Sequence, residues 1–103
     1  SLEVDGEMQA DTALSRLIRE RVLPHSSLTG EANVLIMPNL DSANIAFQMV
    51  KVMADALPVG PILMGPAKPA HILTPSVTAR GIVNMTAIAV AESQSQEQDW
   101  DPA

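Results

Sequence analysis

The sequence predicts an α/β fold with about three strands and three helices in a chain of 103 residues. Two short apolar runs, residues 33–37 (NVLIM) and 59–65 (VGPILMG), are typical of strands buried on both faces of a sheet. Two longer stretches, one between these runs and one after them, are apolar around most of a helical circumference. Apolar runs that alternate with helical stretches are typical of α/β proteins.

The first part of the chain predicts a strand and then a helix. Residues 2–9 alternate loosely between apolar and polar side chains, which favours a half-buried strand, with a turn at Asp5 as the alternative. Asp11 is a suitable N-cap for the helix that follows. Arg16 and Arg19 lie opposite its apolar stripe, where we expect solvated charges rather than a binding patch.

Polar residues follow the predicted strand at 33–37. In open α/β sheets, ligands bind beyond the carboxyl ends of the strands, which places Asn39, Asp41 and Asn44 where a site can form. The alternative is that these residues are caps and turn residues. That alternative is favoured for Asp41, whereas both roles are equally favoured for Asn39 and Asn44.

The second helix is predicted over residues 42–57, capped by Asp41 or Ser42. Its polar side chains form one narrow stripe, Asn44, Gln48, Lys51 and Asp55. A sheet covers only one side of such a helix, so the rest needs another helix, another subunit or further parts of the protein. We therefore expect self-association into a homodimer or a larger oligomer.

Residues 59–65 predict the third strand, and the Pro-rich loop after it carries Lys68 and His71. Thr74, which is followed by proline, is expected to cap the last helix, which runs to about Glu92. A strand end, a cation and a helix N-terminus together predict an anion-binding corner. Ligand contact and simple solvation of the loop are equally favoured roles for Lys68.

Composition narrows the classes of function. The net charge is −6, which argues against a nucleic-acid partner. The chain has no cysteine, and its two histidines are far apart with no carboxylate at ligand spacing, so we expect no metal site. No apolar run is long enough to span a bilayer and no signal peptide is visible, so we expect a cytoplasmic protein without a membrane partner. We expect one domain over residues 1–92 and a disordered polar tail at 93–103.

Several motifs resemble the C-terminal part of phosphate acetyltransferases. They are residues 37–44 (MPNLDSAN), 59–65 (VGPILMG), the Lys-Pro pair at 68–69 and the Ile-Val pair at 82–83. The runs HILTP at 71–75 and IVNM at 82–85 further resemble the phosphotransacetylase-like domain at the C-terminus of bacterial NADP-dependent malic enzymes, in the phosphate acetyl/butyryltransferase superfamily. The resemblance covers residues 4–92. It implies part of an α/β/α layer of the isocitrate/isopropylmalate dehydrogenase type.

The same resemblance implies that catalytic groups are missing. The acetyltransferases carry a Ser-Arg pair and a following Asp that take part in thiol deprotonation and in stabilising charge on the acetyl group. Counted from Lys68, those positions hold Thr74, Pro75 and Gly81. Thr can mimic Ser, but Pro supplies no cation and Gly supplies no base. Each lost group costs roughly 10²–10³ in rate, so we expect binding without turnover.

The resemblance thus implies a non-catalytic regulatory and oligomerisation segment of a malic enzyme, which converts malate to pyruvate and CO₂ elsewhere in its chain. Acetyl-CoA would be the allosteric effector, and NADP and a divalent metal (Mg or Mn) would bind the remainder of the malic enzyme chain. The candidate contacts to acetyl-CoA or phosphate are Asn39, Asn44, Lys68, His71 and Thr74. The alternatives are a fragment of an active phosphate acetyltransferase and a purely structural dimerisation module.

Overall fold

The computed structural model describes the backbone of residues 1–99 and the side chains of residues 1–96. This part of the chain contains four helices: α1 (Ala10–Leu14), α2 (Arg16–Val22), α3 (Leu40–Met53) and α4 (Ala79–Asp99). The residues between them form loops and turns. The chain divides into two compact units, an N-terminal unit (Ser1–Met49) and a C-terminal unit (Val50–Ala103).

The predicted α/β fold is wrong, because none of the strands expected at 2–9, 33–37 and 59–65 forms in residues 1–99. A strand needs a neighbour that satisfies its backbone N–H and C=O groups, and these segments have no such ladder. Their apolar side chains also remain exposed, as at Ile36, which is 90% exposed. An apolar run favours burial, but it does not supply the neighbouring strand.

Carboxylates, rather than a sheet, hold the N-terminal segment. Glu3 accepts from the N–H of Thr29 at 3.0 Å and from its hydroxyl at 2.7 Å. Asp5 accepts from the hydroxyl of Ser26 at 2.6 Å and from the N–H of Ser27 at 3.3 Å. The Thr29 N–H, followed by the Thr29 hydroxyl, lowers the pKa of Glu3, and the Ser26 hydroxyl is the main cause that lowers the pKa of Asp5. Both contacts therefore favour the ionised carboxylates.

The first predicted helix is divided into two at Ser15. This residue is extended (φ −120°, ψ 112°), and its Oγ accepts from the N–H of Ile18 at 3.3 Å. Serine is favoured at an N-cap because its hydroxyl accepts from a backbone N–H that the helix leaves unpaired. Asp11 is not the expected N-cap, since it lies inside α1 and accepts from the N–H of Thr12 at 2.8 Å.

The expectation that Arg19 faces solvent is wrong, because it is only 2% exposed. Its Nη1 lies 3.4 Å from the carbonyl of Thr12 and 3.3 Å from that of Ala13, and its Nη2 donates to the carbonyl of Gly30. The guanidinium thus joins the end of α1, helix α2 and the loop that follows α2. Arg16, by contrast, is exposed.

The chemistry of this contact explains why an arginine stands there. The last carbonyls of a helix have no partner within it, and the guanidinium presents several donors in a fixed planar fork. The carbonyl of Ala13 also accepts from the N–H of Ala32 at 3.0 Å. Within residues 1–96, Arg19 contacts carbonyl dipoles and no carboxylate.

Helix α3 ends at Met53, short of the expected end at residue 57. Asp55 has a positive φ of 48°, and the N–H of Ala56 donates to the carbonyl of Lys51 at 3.1 Å. This is the Schellman arrangement, in which a residue in the left-handed region closes the helix. None of the residues of α3 is buried.

We predict that Arg19→Met lowers the free energy of unfolding by about 2–3 kcal/mol, because it leaves three carbonyls without their charged donor. Urea denaturation of the chain measures the loss. Arg16→Met is the matched control, since Arg16 makes only an exposed pair with Glu20 at 2.7 Å. We expect the control to change the free energy by about 0.5 kcal/mol or less. Equal losses in the two variants would contradict the role given to Arg19.

Candidate ligand-binding site

The five predicted contacts divide between the two units. Asn39 and Asn44 lie in the N-terminal unit, and Lys68, His71 and Thr74 lie in the C-terminal unit. The last three share one loop, which precedes α4. Two of the predicted residues thus belong to one unit and three to the other, and their roles as ligand contacts stay predictions.

Asn39 is the N-cap of α3. Its Oδ1 accepts from the N–H of Ser42 at 2.8 Å and from the Ser42 hydroxyl at 2.7 Å. The carbonyl of Asn39 accepts from the N–H of Ala43 at 3.2 Å. The expected caps Asp41 and Ser42 lie inside the helix instead. Asn44 is exposed on the second turn.

The last helix begins at Ala79, so Thr74 is not its N-cap. Thr78 takes that role, since its Oγ1 accepts from the N–H of Gly81 at 3.0 Å. Thr74 instead belongs to the preceding turn, where its carbonyl accepts from the N–H of Val77 at 3.0 Å. Both threonines are good N-caps by residue type, and the proline after Thr74 favoured the wrong one.

Helix α4 continues through Asp99, past the expected end near Glu92. The tail predicted at 93–103 therefore begins inside this helix, and its last four residues, 100–103, lie outside the described residues. The domain boundary at residue 92 stays a prediction.

His71 is the buried side chain of the loop, with only 4% of it exposed. Its Nδ1 accepts from the N–H of Leu63 at 3.2 Å, and its Nε2 lies 3.0 Å from Oε1 of Glu92. Because Nδ1 accepts, the proton of the neutral ring belongs on Nε2, which donates to Glu92. Both ring nitrogens are thus engaged within the chain.

Glu92 was not predicted as a partner of His71. The two residues are 21 positions apart, and no local motif links them. The one available signal was that Glu92 follows the apolar stretch 87–91 directly, and it gave no indication of which loop the carboxylate contacts.

Lys68 is the exposed cation of this loop. Among residues 1–96, its ammonium takes part in neither a hydrogen bond nor an ion pair. Gly65, three residues earlier, has a φ of +107°, a conformation that favours glycine. Because the ammonium of Lys68 is exposed and has no partner within residues 1–96, it can contact an anionic ligand.

Gly81 occupies a crowded position in the first turn of α4. A Cβ added there would lie 2.9 Å from Cγ2 of Val77 and 3.3 Å from Oγ1 of Thr78. Valine is stiff at χ1, so its methyl group cannot turn away freely. The position therefore disfavours every side chain larger than hydrogen.

A separate open pocket of about 320 Å³ lies in the N-terminal unit, between the N-terminal segment and the end of α2. It is lined by residues 5–7 and 22–26, and none of the five predicted contacts borders it.

In the described part of the chain, no three His, Cys, Asp or Glu side chains come together as metal ligands. None of the helices in residues 1–99 combines the length and apolar content needed to cross a bilayer.

Comparison with protein families gives a match over nearly the whole chain. The model of the family described as "Phosphate acetyl/butaryl transferase" matches residues 1–90. This match agrees with the motifs at 37–44, 59–65 and 68–69.

Individual relatives include malic enzymes and phosphate acetyltransferases. The chain is 64% identical over 92 residues to an NAD-dependent malic enzyme of Rhizobium meliloti (strain 1021). This match covers 89% of this chain and 12% of that protein. It is 50% identical over 96 residues to an NADP-dependent malic enzyme of Escherichia coli (strain K12), covering 92% and 13%. A phosphate acetyltransferase of Paracoccus denitrificans is 45% identical over 93 residues, covering 90% and 29%. The chain thus spans about an eighth of the malic enzymes and under a third of the acetyltransferase.

We predict that Gly81→Ala gives no gain in stability, although alanine is favoured over glycine in a helix by up to about 1 kcal/mol. The reason is the contact between the new Cβ and Val77. Thermal or urea denaturation of a double-mutant cycle measures the coupling. In a Val77→Ala background, Gly81→Ala should recover a gain of about 1 kcal/mol. Equal effects of Gly81→Ala in both backgrounds would contradict the crowding.

Proposed function

The chain belongs to the phosphate acetyl/butaryl transferase family, and on that premise we propose that it is a non-catalytic regulatory segment of an NADP-dependent malic enzyme. The segment binds acetyl-CoA as an allosteric effector and contributes to oligomerisation. The rest of that enzyme converts malate to pyruvate and CO₂ in the cytoplasm, with NADP and a divalent metal. The names of the relatives support a malic enzyme, with an NADP-dependent one at 50% identity and an NAD-dependent one at 64%.

The observation that carries the proposal is the crowding at Gly81. By resemblance, this position belongs to the Asp that the acetyltransferases use. Even the first carbon of an Asp side chain would meet Val77 at 2.9 Å. The neighbouring Arg position holds Pro75, which supplies no cation. The local packing and the residue type therefore both support the absence of a catalytic carboxylate at position 81. Loss of such a group lowers the rate of acetyl transfer strongly.

Ligand binding has separate support, because it does not need those groups. Acetyl-CoA carries several phosphate oxygens, which suit a free ammonium and the N-terminus of a helix. Lys68 supplies the exposed ammonium, and α4 is a long helix whose N-terminus lies at Thr78. Thr74 is exposed in the turn between these two features and can add a hydroxyl.

The other three predicted contacts have different support. Asn44 is exposed on α3 and its amide can meet a ligand. The side-chain oxygen of Asn39 caps α3, so a contact by Asn39 to acetyl-CoA would use its amide nitrogen. His71 has both ring nitrogens engaged within the chain, so its role is to hold the loop in place for the ligand.

The oligomerisation part of the proposal rests on α3. Six of its large apolar side chains are 48–79% exposed: Ile45, Phe47, Met49, Val50, Val52 and Met53. An apolar surface that large on one helix is unusual for a protein that stays monomeric. A second copy of the same helix provides a matching apolar face.

An active phosphate acetyltransferase is the second candidate function, favoured by the 45% identity to the Paracoccus denitrificans protein. The two functions differ in a direct assay of acetyl transfer between acetyl phosphate and CoA. Turnover in the longer protein comparable with that of a true transferase would favour this second candidate.

We predict that Lys68→Ala weakens inhibition of malate oxidation by acetyl-CoA and leaves the uninhibited rate unchanged. A lost contact to a charged group is worth about 1.5–3 kcal/mol, so the midpoint of inhibition should rise about tenfold or more. The measurement is an inhibition curve on the malic enzyme that contains this segment.

Lys51→Ala is the matched control for Lys68→Ala, since Lys51 is also an exposed lysine but lies on α3. We expect its curve to overlay that of the unmodified enzyme. An unchanged curve for Lys68→Ala would show that Lys68 only solvates its loop, and absence of inhibition in the unmodified enzyme would contradict the regulatory function itself.

We predict that the chain self-associates and that charges on the apolar face of α3 prevent it. Phe47→Glu with Val50→Glu places two carboxylates on that face, and sedimentation equilibrium should then give a monomer. Asn44→Glu with Gln48→Glu adds the same charge on the polar stripe and should leave the oligomer intact. A monomer at high micromolar concentration before any substitution would contradict the prediction.

A further inference from the structure

The loop that carries Lys68 is closed by a single side chain. The N–H of Leu63 donates to Nδ1 of His71 at 3.2 Å, which joins the two ends of residues 63–71. We call these residues the Lys68 loop. The same imidazole contacts Glu92 of α4 at 3.0 Å through Nε2. One ring therefore both closes the loop and fastens it to the helix.

The two contacts of His71 depend on each other. A neutral imidazole has one donor nitrogen and one acceptor nitrogen. Glu92 is an acceptor when ionised, so it requires the proton on Nε2, and this leaves Nδ1 free to accept from Leu63. The His71 side chain is only 4% exposed, so its two ring nitrogens are expected to stay hydrogen-bonded, whereas Leu63 and Glu92 both remain partly accessible to water.

We propose that Glu92 is a positioning residue, which fixes the ring orientation of His71 and thereby holds the Lys68 loop in place for the ligand. Glu92 itself touches His71 and acts on the loop only through it. The ligand part of this inference rests on the proposed function, whereas the effect of Glu92 on the loop does not.

Two alternatives make different predictions. In the first, Glu92 is only a partly exposed surface residue of α4, with 34% of its side chain exposed, and its removal leaves the loop unchanged. In the second, Glu92 stabilises α4 on its own, and its effect adds to that of His71. A role through His71 predicts instead that the two effects do not add, because either substitution breaks the same connection.

The test begins with hydrogen exchange of the Leu63 amide in the chain. Glu92→Ala and His71→Ala should each reduce its protection about tenfold, the effect of one lost hydrogen bond. The double variant should lose no more than either single one. Glu92→Gln keeps an oxygen that accepts from Nε2 and should retain most of the protection. Gln96→Ala, one turn further along α4 and exposed, is the control and should change nothing.

The second readout is the midpoint of acetyl-CoA inhibition in the longer enzyme. We expect Glu92→Ala to raise the midpoint severalfold, Glu92→Gln to keep it near the unmodified value and Gln96→Ala to leave it unchanged. The rate without acetyl-CoA should be the same in all three variants. If Glu92→Ala does not fold, Glu92→Asp, which shortens the reach to His71 by one methylene, should show a smaller loss of the same kind.

Several results would overturn the inference. Unchanged protection of the Leu63 amide in Glu92→Ala would show that Glu92 does not hold the loop. Additive losses in the double variant would show that it does not act through His71. Reduced protection with an unchanged inhibition midpoint would remove the positioning role. If acetyl-CoA does not inhibit the unmodified enzyme, the proposed function fails, and the exchange data alone still decide whether Glu92 holds the loop.

Discussion

The guanidinium of Arg19 reaches three backbone carbonyls, and the N-terminal unit depends on that contact. Helices α1 and α2 are each too short to be stable alone, since isolated helices of fewer than about 12 residues are marginal in water. Their apolar stripe contributes little, because Leu17 is 70% exposed. A buried charge must be fully paired to be tolerated, so the guanidinium fixes where each of its carbonyl partners lies. In the C-terminal unit, the His71 ring likewise joins separate segments, since it contacts both Leu63 and Glu92 of α4.

The presence of the helices was easier to predict from the amino-acid sequence than their first and last residues. The long apolar periodicities of α3 and α4 were sufficient to identify both, because these patterns extend over several turns. The ends were wrong because they depend on single side chains, such as Asn39 and Thr78, that compete with equally suitable neighbours. The strands were wrong for a different reason. Residues 33–37 have the composition of a buried strand, but pairing depends on neighbours that a local pattern cannot specify.

The candidate site was less predictable than the helices. The sequence indicated Lys68 as a cation on a loop, and the structure shows that loop and its exposed ammonium. Glu92 and the packing around Gly81 were not predictable, because both depend on contacts in three dimensions. Under the proposed function, the difference between binding and turnover would rest on a few side chains near the start of α4. A fold-level resemblance alone does not settle such a difference.

Under the proposed function, closure of the Lys68 loop would also affect the entropy of ligand binding. A free loop of nine residues samples many conformations, and a ligand that fixes it must offset that loss. The hydrogen bond between Leu63 and His71 brings the ends together before any ligand arrives, so part of the ordering cost belongs to folding instead of binding. An eight-residue separation closed by one imidazole can therefore increase affinity without adding any contact to the ligand.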